Sequence, residues 1–161
     1  GARSGANPRS RVAGMMIRRA QLRDVQEIVD LAVESVSRDP LPVRIDRTGM
    51  ADMARELITG NAHFAWVAES DGKVVAAVGA ITQPGFWFER NQSSVVMFYS
   101  RAPGAGIALL REYARWEKSR PTIKMALFSL ERGMDPRIGA LLRRLGFTME
   151  NPQYTFVRGM Q

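Results

Sequence analysis

The chain has 161 residues, of which 45% are hydrophobic, enough to bury the core of one globular domain without a disulfide or a structural metal. It contains no cysteine and one histidine, which excludes disulfides, thiolate metal sites, a cysteine nucleophile and a histidine-rich metal centre. Of the net charge of +7, Arg3, Arg9 and Arg11 supply three, so residues 15–161 carry +4, without the long basic run of a typical nucleic-acid binder.

Residues 1–14 lack apolar periodicity and are rich in Gly, Ala, Ser, Pro and Arg, a composition typical of a disordered leader or an expression remnant. We therefore expect the folded domain to comprise residues 15–161. No apolar run approaches the roughly 18 residues that span a membrane, and no charged-then-apolar secretory pattern is present. These features predict a soluble, cytoplasmic protein that has no membrane partner.

The first elements follow from hydrophobic periodicity. A short strand is predicted at Met15–Ala20, and apolar residues then recur at three- and four-residue spacing from Leu22 to Val36, as in an amphipathic helix. The stretch from Arg38 to Gly49 carries two prolines and a glycine and is predicted to be a loop. A second helix follows and ends near Gly60.

The period then changes to that of strands. HFAWVAES and KVVAAVGAIT flank Asp71-Gly72, a dipeptide that favours a tight hairpin turn. A turn-rich excursion, Gln83–Gln92, contains Phe86, Trp87 and Phe88, which we expect to pack in the core or to contact a substrate or a subunit. The apolar run Ser93–Ser100 predicts a strand that is covered on both faces.

The last third predicts helix, strand, helix and two short strands. The strand TIKMALFSL precedes a helix with Asp135 as N-cap and Pro136 as first residue, and Gly146 closes that helix. GFTME and QYTFVR are predicted to be the final strands. This order of elements fits a mixed sheet with helices on both faces.

A glycine-rich bend, SRAPGAG at Ser100–Gly106, joins the buried strand directly to a helix. Arg101, Gly104 and Gly106 satisfy the pattern Arg or Gln, two residues, Gly, one residue, Gly or Ala. At such a junction the free N–H groups and the helix dipole favour phosphate, and glycine lets the backbone approach a pyrophosphate closely. A strand-to-helix turn that merely needs glycine is the alternative. No Gly-Lys-Ser/Thr follows, and Leu109 occupies the third-glycine position of a dinucleotide fold, which argues against those two phosphate motifs.

Together with IRRAQLRDVQEIVDLA near the start and IGALLRRLGF near the end, SRAPGAGIALL resembles the signature segments of the GCN5-related N-acetyltransferase superfamily, over residues 16 to about 158. The resemblance implies a single α/β (α+β) domain with a mixed, mostly antiparallel sheet of six or seven strands, splayed into a V. It also implies acetyl transfer from acetyl-CoA to a primary amine, on a small molecule or a protein. A non-catalytic acetyl-CoA-binding module and an acetyltransferase of aminoacyl-tRNA are the alternatives, and a homodimer stays open.

The resemblance also assigns residues to the binding of acetyl-CoA. It places the pyrophosphate loop on Arg101, Ala102, Pro103, Gly104, Ala105, Gly106 and Ile107. It places the bend that pairs with the pantetheine arm on Val95, Val96, Met97 and Phe98. The N–H group that polarises the thioester carbonyl then falls near Val96. Asp135 occupies a position where an asparagine often contacts the cofactor, and no metal is expected.

Proton transfer is the least determined part of the predicted site. The amine must lose a proton before it attacks a thioester, and the departing thiolate gains from a nearby acid. Leu142 stands where the family often has a tyrosine acid. Glu131 lies near the general base of some relatives, or is a surface carboxylate beside Arg132. Tyr99 is either a substitute acid or a packed aromatic, and catalysis by positioning alone also stays open.

Overall fold

The computed structural model describes residues 9–12 and 14–160. Its elements, in chain order, are β1 Arg9–Val12, β2 Met15–Arg19, a short 3-10 turn Leu22–Asp24, α1 Val25–Ser37, α2 Arg47–Thr59, β3 Phe64–Ser70, β4 Lys73–Pro84, β5 Asn91–Ser100, α3 Pro103–Lys118, β6 Ile123–Leu127 and α4 Arg137–Arg144. Across the described ranges, we find no helix that combines the length and the apolar character needed to cross a membrane.

The six strands form one sheet in sequence order, from β1 to β6. Neighbouring strands are antiparallel except β5 and β6, which are parallel and are joined by α3. Asp71 and Gly72 both have positive φ, 50° and 75°, in the turn between β3 and β4. This confirms the predicted hairpin and the predicted mixed sheet.

Helices cover both faces of the sheet. Trp66, Ala68 and Val78 belong to a core cluster with Leu109 and Tyr113 of α3. The alternate positions, Val67 and Ala77 among them, form a second cluster with Leu31 of α1. Since neighbouring residues of a strand point to opposite faces, α3 packs on one face and α1 on the other, where α2 packs against α1.

The prediction that residues 1–14 lie outside the fold is wrong for four of them. Arg9–Val12 pair antiparallel with β2, from Arg9 opposite Arg18 to Val12 opposite Met15. The strand was missed because an edge strand is held by main-chain hydrogen bonds, which need no apolar pattern in the side chains. Residues 1–8 and residue 13 lie outside the described residues.

The two strands predicted at the C-terminus are absent, since none of residues 147–160 is paired in the sheet. Tyr154 and Phe156 are 93% and 80% exposed. The side-chain composition of this segment is therefore a poor guide, because it does not supply a hydrogen-bond partner for the backbone.

The expectation of core packing for the aromatic excursion is also wrong. Phe86 and Trp87 are 99% and 77% exposed, and Trp87 contacts the neighbouring Phe88 ring edge to face, with centroids 5.1 Å apart. The excursion closes on itself through a hydrogen bond from the Gly85 N–H to the Arg90 carbonyl, 2.9 Å. It therefore projects from the end of the β4–β5 hairpin, beyond the reach of both cores.

A buried ion pair fixes the start of α1 on the sheet. Arg18 of β2 and Asp24 are 4% and 2% exposed, and two guanidinium nitrogens donate to the Asp24 carboxylate at 2.7 and 2.9 Å. Arg18 Nε donates to Glu69 of β3, 2.9 Å, and the Gln21 N–H donates to Asp24. Burial by itself would raise the pKa of Asp24, but the hydrogen bonds from Arg18 and Gln21 outweigh it and lower the pKa.

Asp24→Asn is expected to reduce the free energy of unfolding by about 3 kcal/mol at pH 7, because it leaves the buried guanidinium of Arg18 short of a countercharge. Since folding lowers the pKa of Asp24, its contribution is complete above the unfolded-state pKa of about 4 and is lost as the pH falls through the folded-state pKa. Urea unfolding at several pH values should show the two proteins converging in acid. Asp52→Asn, which breaks an exposed pair with Arg55, is the control and should cost under about 1 kcal/mol.

Candidate active site

A cleft of about 1370 Å³ opens beside β5, and residues from several parts of the fold line it. They come from β3 and β4, the second half of β5, the first turns of α3, the segment 128–144 that follows β6, and the α1–α2 region. Small-ligand pockets have volumes of about 300–1,000 Å³. The cleft is therefore large enough for a ligand bigger than one small molecule, or for two ligands side by side.

The cleft begins where β5 and β6 separate. Asn91 to Ser94 pair with β6, with Ser94 opposite Leu127 as the last pair, whereas β5 continues to Ser100. Among the described residues, no strand pairs with the β6-facing edge of residues 95–100. An open edge of this kind supplies main-chain donors and acceptors to an extended ligand. The separation is the predicted V-shaped splay of the sheet.

A β-bulge interrupts β5 at Val96. On β4, Ala80 is opposite Val95 and Gly79 is opposite Met97, which leaves Val96 without a partner. In a regular strand Val95 and Phe98, three residues apart, would point to opposite faces of the sheet. The extra residue shifts the alternation, so both pack on the α3 face. The side chain of Val96 is 48% exposed, and its residue lines the cleft. The bulge lies within the bend predicted at Val95–Phe98.

The glycine-rich bend forms the N-terminus of α3, but fewer of its amides are free than predicted. The Arg101 N–H donates to the Val75 carbonyl, 2.9 Å, and the Ala102 N–H donates to Ser100 Oγ, 3.1 Å. Pro103 has no N–H group, and the Ala105 and Gly106 N–H groups both donate to the Ala102 carbonyl, at 3.0 and 3.4 Å. Within residues 101–106, the donor that remains for an anion is thus the N–H group of Gly104, in the first turn of the helix.

The two glycines of the bend have different surroundings. A Cβ on Gly106 would lie 3.2 Å from both Phe98 Cζ and Ser100 Cβ, so Gly106 allows α3 to pack closely against β5. A Cβ on Gly104 would meet only Met15 Cε, at 3.7 Å, which is ordinary contact. Gly104 is exposed, so glycine is not needed there for packing. Packing thus explains Gly106, which lines the cleft, whereas Gly104 lies outside the cleft lining and no packing contact requires glycine there.

The side chain of Arg101 is paired with α1 and is not free to bind an anion beside the Gly104 N–H group. Its Nε donates to Glu34 of α1 at 2.7 Å, in a pair that is about half exposed on both sides. The pair connects the bend to the helix on the opposite face of the sheet. Arg101 is therefore a support of the loop in this structure, rather than a free cation beside it.

The cleft wall is basic. It contains seven arginines and three carboxylates: Arg38, Arg44, Arg101, Arg111, Arg132, Arg137, Arg144, Asp46, Glu131 and Asp135. Arg111 follows Ile107 by one turn of α3, and Arg144 lies in the last turn of α4. The sequence analysis missed both, because an exposed arginine on an amphipathic helix has the same pattern whether it faces solvent or a cleft. Such a wall favours an anionic ligand.

Asp135 is exposed and engaged with Arg137. Its carboxylate accepts the Arg137 N–H at 2.9 Å and the Arg137 guanidinium at 2.6 Å. The hydrogen bonds from Arg137 lower the pKa of Asp135. Asp135 thus holds the turn before α4. The N-cap of α4 is Pro136 and its first residue is Arg137, so the helix begins one residue later than predicted.

The structure brings Glu131 and Tyr99 to the same cleft. Glu131 is exposed, and within the described ranges its carboxylate has no hydrogen-bond or salt-bridge partner. Tyr99 is 6% exposed, the guanidinium carbon of Arg38 lies 4.9 Å from its ring centroid, and its buried hydroxyl has no partner. Leu142 is buried and lies outside the cleft wall, where Leu141 takes its place.

No protein-family model and no curated protein matches the chain, but solved structures do. A predicted acetyltransferase from Clostridium acetobutylicum, crystallised with acetyl-CoA, matches with a TM-score of 0.67 and 16% identity, over 88% of this chain and 95% of that one. The glucosamine-6-phosphate N-acetyltransferase from Arabidopsis thaliana matches with a TM-score of 0.66 and 12% identity, over 89% of this chain and 98% of that one. The chain has the GCN5-related N-acetyltransferase fold.

A third match to this acetyltransferase fold is the ribosomal-protein-alanine N-acetyltransferase from Brucella melitensis biovar Abortus 2308, with a TM-score of 0.63 and 21% identity over 90% of this chain and 99% of that one. Each match covers nearly all of the other chain, so the likeness concerns the whole domain. The fold predicted from the sequence resemblance is thus confirmed.

Proposed function

We propose that the protein is an N-acetyltransferase that transfers the acetyl group of acetyl-CoA to a primary amine. The observation that carries this proposal is the separation of β5 from β6 immediately before the N-terminus of α3. One continuous run of chain then offers an open strand edge, a bulge and a helix N-terminus in that order. This order suits acetyl-CoA, in which an extended arm with two amide groups joins the thioester at one end to a pyrophosphate at the other.

In this proposal each part of the run binds one part of acetyl-CoA. The open edge at Val95–Phe98 pairs with the amide groups of the pantetheine arm. The free N–H group of Gly104 and the dipole of α3 bind the pyrophosphate. Arg111 and Arg144 neutralise phosphate charge further along the cleft. Ala102, Pro103, Ala105 and Ile107 shape this turn.

The proposed reaction is direct transfer. The amine nitrogen attacks the thioester carbonyl carbon, and the negative charge that develops on the oxygen is stabilised by the main-chain N–H at Val96. The carbon–sulfur bond then breaks, the amide forms, and the thiolate of coenzyme A leaves and takes up a proton. A main-chain donor at a bulge is fixed before the reaction, so it needs no rearrangement as charge develops.

Glu131→Gln is expected to lower turnover about 100-fold at pH values where the acceptor is an ammonium ion, because Glu131 is proposed to remove that proton through water. The effect should shrink as the pH approaches the pKa of the amine, since a free amine needs no base. The pH profile of kcat is the measurement. Glu150→Gln, which breaks a pair with Arg143 outside the cleft, is the control. A pH-independent effect of Glu131→Gln would contradict the proposed base.

Tyr99→Phe is expected to raise the free energy of unfolding by about 1 kcal/mol, since it removes a buried hydroxyl that has no hydrogen-bond partner. Thermal unfolding without ligand is the measurement, and a loss of stability would show that the hydroxyl is satisfied in solution. If Tyr99 protonates the thiolate, kcat falls while KM for the amine stays constant. A packed aromatic would leave kcat unchanged.

The second candidate is a non-catalytic module that binds acetyl-CoA, which the leucine in the tyrosine position of α4 favours. Release of free thiol from acetyl-CoA, measured against pooled small amines, peptides and aminoacyl-tRNA, distinguishes the two. Thiol release that depends on an amine supports the enzyme. Heat on titration with acetyl-CoA and no thiol with any amine supports the module.

A further inference from the structure

The α1–α2 region presents an exposed apolar surface to the cleft, which the strand edge proposed to bind acetyl-CoA also lines. Its side chains are 39–60% exposed and are Val36, Leu41, Val43, Ile45 and Met53. We call these residues, with Arg38 and Arg44, the acceptor wall. Three of the five come from the loop between the helices, where apolar side chains are not required for the core. Exposed apolar groups that line a cleft favour an apolar ligand.

The carboxylates around the acceptor wall are already engaged by protein groups. Asp39 pairs with Arg132 at 2.8 Å, and Glu34 pairs with Arg101 at 2.7 Å. Asp46 accepts the Gly49 N–H at 2.9 Å, as the N-cap of α2. Arginine thus neutralises Asp39 and Glu34, whereas Asp46 keeps its charge at the N-terminus of α2. Glu131 is the cleft carboxylate that stays without a partner in the described part of the chain.

Two arginines of the acceptor wall have no carboxylate partner among the residues that the structure describes. The guanidinium of Arg38 lies over the ring of Tyr99, and Arg44 is exposed on the loop. A wall with two guanidinium groups that no carboxylate neutralises repels a polycation. It attracts a carboxylate or a phosphate through charge-assisted hydrogen bonds.

We propose that the acceptor is a small amine with a large apolar body and one anionic group, as in an apolar α-amino acid, and that Arg44 and Arg38 bind the anionic group. This inference rests on the proposed function and narrows it. The apolar body contacts Leu41, Val43 and Ile45, and the amine faces Glu131. Polyamines and aminoglycosides, which carry several positive charges, are then poor acceptors.

The test compares acceptors that differ in one property at a time, with thiol release as the readout. Phenylalanine and leucine carry both properties, phenylalaninamide lacks the carboxylate, glucosamine-6-phosphate lacks the apolar body, and spermidine and sisomicin are polycations. We expect kcat/KM for phenylalanine to exceed that for its amide by about tenfold or more, since the amide loses the charge-assisted bonds. A preference for the polycations or for the sugar phosphate would overturn the inference and leave acetyl transfer intact.

The Arg44→Ala variant tests whether the acceptor wall causes the preference for phenylalanine over its amide. It should raise KM for phenylalanine about tenfold and leave KM for phenylalaninamide unchanged. Arg55→Ala removes the same charge from α2 outside the cleft lining and should change neither. Calorimetric binding of phenylalanine in the presence of coenzyme A gives a second readout that needs no turnover. An Arg44→Ala variant in which KM rises equally for phenylalanine and phenylalaninamide would overturn the inference. Absence of phenylalanine binding in the calorimeter would also overturn it, whether or not the protein transfers acetyl groups.

Discussion

Gly104→Val is expected to weaken acetyl-CoA binding on the order of 100-fold, because a branched side chain at the first turn of α3 would block the approach of the pyrophosphate to the free Gly104 N–H group and the helix N-terminus. The structure has room for the new side chain, since Gly104 is exposed and a Cβ there meets only Met15 Cε at 3.7 Å. The melting temperature should therefore stay close to that of the wild type. Isothermal calorimetry with acetyl-CoA is the measurement.

Gly106→Val is the matched comparison, and unlike Gly104→Val it should lower the stability of the fold. A Cβ at Gly106 would approach Phe98 and Ser100 to 3.2 Å, so the branched side chain forces α3 away from β5. We expect a loss of stability of about 1–3 kcal/mol, as for other overpacked positions. Unchanged acetyl-CoA affinity in Gly104→Val would show that the phosphate lies elsewhere, and would remove the main support for the proposed binding mode.

Val96→Pro is expected to lower kcat about 100-fold or more, since proline has no N–H group to stabilise the oxyanion. Affinity for acetyl-CoA should change much less, because the pyrophosphate and most of the pantetheine arm keep their partners. Proline is tolerated at bulges better than elsewhere in a sheet, and Val96 has no partner on β4. Steady-state kinetics and thermal unfolding of the same preparations are the measurements.

Val96→Thr is the control for this substitution, because it keeps the main-chain N–H and changes only a side chain that is 48% exposed. It should retain nearly full kcat. Equal losses of kcat in the proline and threonine variants would mean that the side chain matters rather than the N–H. A folded Val96→Pro protein with normal kcat would place the oxyanion donor at another residue.

Local pattern was sufficient for most elements. The three- and four-residue spacing from Leu22 to Val36 predicted α1, and Asp71-Gly72 predicted a turn that the structure shows with two positive φ angles. The same kind of pattern failed for QYTFVR at the C-terminus. A helix or a tight hairpin supplies its own hydrogen-bond partners, whereas a strand depends on another segment whose position the local sequence does not encode.

The candidate site was predictable where chemistry depends on the main chain. The glycine bend lies between a buried strand and a helix in the sequence, and this order alone predicts that a helix N-terminus is present at the bend. The number of free amides did not follow, because the Arg101 and Ala102 N–H groups are taken by Val75 and Ser100. Side-chain roles were less predictable still, as with Arg111 and Arg144.

The sequence by itself determined the order of elements, the hairpin, the phosphate-type bend and, through three short segments, the resemblance to acetyltransferases. Only the tertiary structure decided that Arg9–Val12 complete the sheet, that β5 separates from β6 after Ser94, and that the bulge falls at Val96. It also decided which charges face the cleft and which are paired. The reason is that periodicity and turn chemistry act over a few residues, whereas strand pairing and charge pairing join residues far apart in the chain.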